Sequence, residues 1–141
     1  PKIRIFEGVE AIKSLYEETL IKDGKQKAFV NLTSIPKPLV EFLRNQFMKS
    51  KVRKNVQSKV LVADTKYSKK YRGFDSIENR ETKVVENHPF KLHSEIILFN
   101  DKDLAIIDFH KQLYGIVIES ETLYKTMESL FDYVWTFSEK K

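Results

Sequence analysis

Cysteine is absent from all 141 residues, which excludes a disulfide framework, a thiolate zinc site and a cysteine nucleophile. A thiol-free chain suits a reducing compartment, so a cytoplasmic location is expected. Glycine and proline number four each and no low-complexity run interrupts the chain, so disorder is expected only in the last few residues. The four scattered glycines, Gly8, Gly24, Gly73 and Gly115, cannot form a dinucleotide fingerprint or a phosphate-cradling loop. No apolar stretch approaches the roughly 20 residues of a membrane-spanning helix. The opening PKIRIF has neither a signal-peptide pattern nor a starting methionine. It reads as an excised piece of a longer protein, with something expected before Pro1.

Groupings of catalytic residues are scarce as well. Ser34, Ser94 and Ser120 lie in no Gly-x-Ser-x-Gly elbow. His88, His93 and His110 are not spaced as helical metal ligands, and each falls near a strand end or turn, so no metal and no cofactor is expected. Of the carboxylates around the longest apolar stretch, Asp101 and Asp103 are explained by turn chemistry. Glu95 and Asp108 read either as buried acids with shifted pKa or as outward-facing strand residues, and the second is the expectation.

With 41% hydrophobic residues, the chain is long enough for one core and needs no second, so residues 1–141 read as a single domain. Its organising stretch is SEIILFNDKDLAIIDFHKQLYGIVIE, from Ser94 to Glu119. Ile96–Phe99, Leu104–Phe109 and Tyr114–Ile118 read as three successive strands, the first two separated by a polar NDKD turn. Isoleucine-rich runs of this kind fit strands buried on both faces, so helices are expected on each side of the sheet. The fold class is therefore α/β, a mixed, largely buried sheet flanked by helices on both faces.

Earlier in the chain, Ile3–Phe6 predicts a strand, and Val9, Ile12, Tyr16 and Leu20 fall at helical spacing. Ala28–Leu32 is the next strand. Pro36 or Pro38 suits the first turn of a second helix with Leu39, Leu43 and Phe47 on its stripe. Val56–Ala63 is strand again, so a parallel crossover is expected. Thr65–Asn79 reads as a long loop or a broken helix, and Thr82–Glu86 as another strand. Ser120 is an N-cap before a last helix expected to carry Leu123, Met127, Leu130, Phe131 and Val134 inward, with Trp135 and Phe137 closing the core.

Charge is uneven. From Lys49 to Arg72 there are nine basic residues and one acid, Asp64, a local net of +8 against +5 for the whole chain. Lys49, Lys51, Arg53, Lys54, Lys66, Lys69, Lys70 and Arg72, with Tyr67, Tyr71 and Phe74 interleaved, form a candidate phosphate-binding or base-stacking patch. A solvated face that serves solubility is the competing reading.

The segment IRIFEGVEAIKSLYEETL resembles the opening of the effector domain of TrmB-type transcriptional regulators, a strand followed by an FEG-x-E-G-I-K-x-L-Y-E helix, with Ala11 in place of the usual glycine. SEIILFNDKDLAIIDF, LYGIVIES and the LFDYVW helix are similar to the end of the same domain, so the resemblance covers nearly the whole chain. It implies a phospholipase D-like fold, a winged-helix DNA-binding domain on the N-terminal side, and a role in sensing sugars to adjust transcription. Phospholipase D chemistry needs His-x-Lys-x4-Asp, in which the histidine attacks phosphorus and the lysine holds its oxygens. Taking Asp101 as the aspartate puts Ser94 and Ile96 where His and Lys should be, and taking Asn100 puts His93 and Glu95 there. The catalytic motif is thus incomplete, and no enzyme is expected.

The expected function is a non-catalytic ligand-sensing or dimerisation effector domain of a TrmB-like regulator. The alternatives are a nucleic-acid-binding module using residues 49–72 and a degenerate phosphodiesterase completed by a partner chain. The implied partners are a small polar metabolite such as a sugar, a second copy within the full-length protein, and DNA through the missing N-terminal domain; no membrane partner is expected. Ligands of open parallel sheets collect beyond the carboxyl ends of the strands. The candidate ligand residues are therefore Thr33, Ser34, Asp64, Thr65, Tyr67, His93 and Glu95. For most of these the competing reading is cap and turn chemistry, with Thr33 or Ser34 capping the second helix.

Overall fold

The computed structural model describes residues 2–86 and 91–138. His88 and the last few residues, for which the sequence predicts a turn and disorder, lie outside them. Seven strands form one mixed sheet in the order β1-β7-β6-β5-β2-β3-β4. They are β1 (Lys2–Glu7), β2 (Lys25–Val30), β3 (Gln57–Ala63), β4 (Arg80–Val85), β5 (Glu95–Phe99), β6 (Asp103–Asp108) and β7 (Tyr114–Glu119). β2, β3 and β4 are parallel neighbours, whereas β5, β6, β7 and β1 alternate in direction. The parallel half comes from strand-helix-strand connections, and the antiparallel half from the tight turns of the isoleucine-rich stretch. In the first of those turns Asn100 and Asp101 take φ 56° and 58°, a left-handed conformation that Asn and Asp tolerate better than most residues.

Helices pack on both faces. One face carries α1 (Val9–Glu18) and a helical run made of α2 (Lys37–Phe42), a π-turn (Leu43–Phe47) and α3 (Met48–Arg53). The π-turn has a packing consequence. Residues five apart diverge on an α-helix, but the wider turn brings Phe42 and Phe47 round to the same side. Their rings stand 6.4 and 5.4 Å from that of Tyr16. The segment 65–79, read as a loop or broken helix, is a broken helix: α4 (Ser68–Gly73) and a 3-10 turn (Asp75–Ile77). Gly115 of β7 lets α1 approach closely, since a Cβ there would come within 2.7 Å of Leu15 Cδ1.

Among the described residues the other face carries only α5 (Glu121–Phe137), over a core of Phe29, Leu61, Leu98, Leu104, Tyr124 and Phe131. Two expectations are corrected here. The inward stripe of α5 consists of Tyr124, Met127, Phe131, Val134 and Trp135, while Leu123 is 45%, Leu130 50% and Phe137 72% exposed. The helix is rolled about 50° from the expected phase, because Lys27 of β2 pairs with Glu128 and Asp132 at 3.1 and 2.8 Å. Lys59 and Lys83 hold the Trp135 ring from β3 and β4. β7 is also not buried on both faces: Ile116 and Ile118 are only half-covered, because α5 lies over β2, β5 and β6.

Candidate functional site

Val30 of β2 is level with Val62 of β3, and Phe29 lies opposite Ile96 of β5. Glu95, the first residue of β5, thus arrives where β2 and β3 end. All seven expected ligand residues stand at this end of the sheet: Thr33 and Ser34 after β2, Asp64, Thr65 and Tyr67 after β3, His93 and Glu95 at the start of β5. Their surroundings differ. Thr33, Asp64, Tyr67 and His93 are exposed and Ser34 and Thr65 half-buried, whereas Glu95 is inside, 6% exposed.

Two of the hydroxyl-bearing residues are held by their own loops. Asn31, which the sequence reading missed, accepts from the Thr33 N–H at 2.9 Å and from the Thr33 hydroxyl at 2.6 Å. Its amide donates to the Leu92 carbonyl at 2.7 Å, tying the loop after β2 to the segment before β5. An Asn two residues ahead of a Thr at a strand end is the signature of an Asx turn, and that signal was available in the sequence. Thr65 donates its N–H to Ser68 Oγ at 2.9 Å, and its own Oγ1 accepts from the Tyr67 N–H at 3.2 Å. Neither Thr33 nor Ser34 caps the second helix, which starts after Pro36 with no side-chain cap.

Glu95 corrects a second expectation, since it points inward. Side chains alternate along a strand, so Glu95 shares its face with Ile97 and Phe99 and packs against α1 and α2. The Tyr16 hydroxyl donates to Glu95 Oε1 at 3.0 Å. Burial pushes the Glu95 carboxyl up to about 7, and the Tyr16 hydrogen bond opposes this. Burial, and then the neighbouring Glu95, push the Tyr16 hydroxyl well above its usual range. Tyr71 of α4 brings a third hydroxyl inward, raised by burial, beneath an Arg80 guanidinium 3.7 Å from its ring centre. Asp108 is half-buried and accepts from the His110 N–H at 2.8 Å, as a turn residue does.

This geometry bears directly on phosphoryl chemistry. In the Asn100 register the lysine position is Glu95, whose carboxylate would repel a phosphate; in the Asp101 register it is Ile96, which packs under α5. Neither position offers a cation to phosphate oxygens. Among the described residues no three His, Asp or Glu side chains gather as a metal ion would require.

The basic segment is continuous in sequence but not in space. α3 and its C-cap deliver Lys49, Arg53 and Lys54 to the amino end of β3, and Lys66, just before α4, with Lys69 and Lys70 on it, follow its carboxyl end. The seven-residue strand between them separates the groups by about 20 Å. Lys51 belongs to neither: 2% exposed, it donates to the carbonyls of Glu78 and Asn79. Burial, with Arg80 nearby, pushes its pKa down to about 8. Arg72 is half-buried, with one guanidinium nitrogen shielded from solvent and without a hydrogen-bond partner among the described residues.

The architecture defines a phospholipase D-like fold. It is similar to Nuc, a phospholipase D family member from Salmonella typhimurium, at a TM-score of 0.73 and 11% identity, covering 99% of this chain and 97% of that one. It is also similar to NucT from Helicobacter pylori, at 0.67 and 10% identity over 99% of both chains. A further neighbour is TrmBL2, an archaeal chromatin protein with a novel mode of DNA binding, at 0.66 and 9% identity. All of this chain but only 55% of TrmBL2 is covered. No protein-family model matches the sequence, and no curated protein matches it. No helix of the described residues is long and apolar enough to cross a membrane.

Proposed function

We propose that this chain is a non-catalytic effector domain of a TrmB-like transcriptional regulator, sensing a small polar metabolite such as a sugar beyond the carboxyl ends of β2 and β3. The observation that carries this reading is Glu95. A buried carboxyl held by Tyr16 stands where a phospholipase D lysine would be needed, so the fold is present without its phosphate-binding cation. Asp64, Tyr67 and His93, all exposed at this end of the sheet, offer the donors, acceptors and ring face that polyols use. In this reading a separate winged-helix domain contacts DNA.

The experiment is a thermal-unfolding screen against mono- and disaccharides, with hydrolysis of bis(p-nitrophenyl) phosphate measured in parallel. A ligand at about 100 times its Kd stabilises by roughly 2.7 kcal/mol, so a saturable upward shift of several degrees is expected, lost in His93→Ala. Turnover of the phosphodiester, lost in the same variant, would refute the non-catalytic reading.

One observation favours a second reading, nucleic-acid binding. Lys66, Lys69 and Lys70 are exposed on or beside α4, with Tyr67 at 45% exposure among them. Phosphate contacts make binding fall steeply with salt. Duplex binding by this chain with such a slope, weakened by Lys69→Ala and Lys70→Ala, would favour it over the sensor.

A further inference from the structure

Three lysines stand together on the α5 face of the sheet. Lys27 of β2 is level with Lys59 of β3, and Lys25 with Gln57; register partners, and residues two apart on a strand, share a face. The face is fixed because Lys27 reaches Glu128 and Asp132 of α5, while the Lys59 ammonium lies 5.4 Å from the centre of the Trp135 ring. Strand spacing puts the Cα atoms of Lys25 and Lys59 roughly 8 Å apart, with Lys27 next to both. Like charges so placed repel one another. The carboxylates of α5 answer Lys27, the middle one, whereas Lys25 and Lys59 are exposed and form no ion pair among the described residues.

These lysines floor a cleft of about 650 Å³, a volume within the range of small-molecule sites. It lies at the amino ends of β2, β3 and β4, the opposite end of these strands from Asp64, Thr65 and Glu95. β5 runs antiparallel to β2, so the turn after it brings Asp101 to the rim. The α5 wall is Tyr124 and Glu128. Tyr124 is 7% exposed and belongs to the core cluster of Phe29, Leu61 and Phe131, yet its hydroxyl has no hydrogen-bond partner among the described residues. Burial raises its pKa, Glu128 and Asp101 raise it further and Lys27 opposes them, so the charges acting on this hydroxyl are those of the cleft. It stays protonated, a free donor beside two carboxylates. A cationic floor and a wall of one phenol and two carboxylates call for a ligand with two unlike ends. The floor suits a phosphate, which lysine binds as a point charge; the wall suits hydroxyl groups, which donate to carboxylates and exchange hydrogen bonds with a phenol.

We propose that this cleft binds the phosphate ester of a sugar, with the phosphate on Lys25 and Lys59 and the sugar hydroxyl groups on Tyr124, Glu128 and Asp101. The site is separate from the one proposed beyond the carboxyl ends of β2 and β3 and does not rest on it.

Isothermal titration of the chain with glucose 6-phosphate, and separately with inorganic phosphate, tests it. The ester is expected to bind saturably and at least about 10-fold more tightly than inorganic phosphate, since only the ester reaches the wall. Lys25→Gln and Lys59→Gln together, on exposed side chains and checked by circular dichroism, should weaken the ester at least about 10-fold. Tyr124→Phe keeps the buried ring and removes only the hydroxyl, and should weaken it about 5-fold. An ester that does not bind, or binds no more tightly than inorganic phosphate, overturns the proposal. So does unchanged affinity in the double lysine variant, which would put the ester elsewhere on the chain, or in Tyr124→Phe. The neutral-sugar response at the other end of the strands is read by its loss in His93→Ala, so either reading can fail without the other.

Discussion

On the α1–α2 side of the sheet, ionisable groups lie inside and are answered one by one: Glu95 by the Tyr16 hydroxyl, Lys51 by two carbonyls, and Arg80 by Asp75, Glu78 and the Tyr71 carbonyl. On the α5 side the core is hydrocarbon and aromatic, ion pairs sit at its flank, and isoleucine and leucine stand in solvent. The first face spends its polar partners internally, so specific geometry holds it together. The second depends on a single helix, and its stability comes from how much apolar surface that helix covers. Different perturbations should therefore break the two faces.

The largest effect is expected from Phe131→Ala. Phe131 is fully buried, edge-on to Phe29 at 5.3 Å and stacked on Trp135 at 5.6 Å. Removing the ring leaves a cavity under the one helix on that face and should cost about 3–5 kcal/mol, read as a lower urea midpoint. A loss below about 1 kcal/mol would mean that α5 collapses onto the gap and that the face is more plastic than its packing suggests.

Glu95→Gln probes the opposite face, with a pH signature. The folded carboxyl titrates near 7 against 4.5 for its ordinary value. Between those two values the folded chain holds a proton that the unfolded chain has released, so stability falls as pH rises from about 4.5 to 7 and then levels off. Glutamine keeps an acceptor for Tyr16 and carries no charge. The variant should match the parent near pH 4 and exceed it at pH 8 by up to roughly 3 kcal/mol. Urea titrations at the two pH values check this. A variant less stable than the parent at pH 8 would show that the ionised carboxylate is stabilised by a partner other than Tyr16.

The same contrast explains what was legible in the sequence. The three strands around NDKD could be read because isoleucine runs and turn residues are local signals, and the parallel crossover because apolar periodicity switches twice between Ala28 and Ala63. The seven candidate ligand residues were brought to one end of the sheet by strand direction alone. The depth of Glu95 was not legible, because its partner Tyr16 lies 79 positions away and a lone carboxylate in an apolar strand looks the same whether or not a hydroxyl awaits it. The roll of α5 depends on Lys27, more than 100 residues away along the chain, and either stripe of the helix is apolar enough to be the inner one. Lys51 was misplaced for a related reason: its burial depends on accepting carbonyls at Glu78 and Asn79, which no local pattern announces.

The smallest effect is expected at the start of α5. Ser120 is extended, at φ −163° and ψ 113°, and its Oγ accepts from the Leu123 N–H at 3.2 Å. Its backbone is independently fixed, donating to the Lys102 carbonyl at 2.8 Å and accepting from the Tyr124 N–H at 2.9 Å. Ser120→Ala therefore removes the side-chain cap alone and leaves the helix in register. Water reaches this exposed end and can take over the orphaned N–H, so the loss should be about 1 kcal/mol. Because α5 is the only helix among the described residues on its face, the loss should appear as a shift of the whole urea transition with an unchanged slope, not as local fraying. Ser120→Asp restores the acceptor and places a negative charge where the helix dipole favours one. Glu119 and Glu121 flank it, so recovery to the parent value, and not beyond it, is expected. A fall of more than about 2 kcal/mol for the alanine variant, left unrepaired by aspartate, would mean that the turn from β7 into α5 depends on the serine hydroxyl for more than capping. The single-helix face would then have a second point of failure besides Phe131.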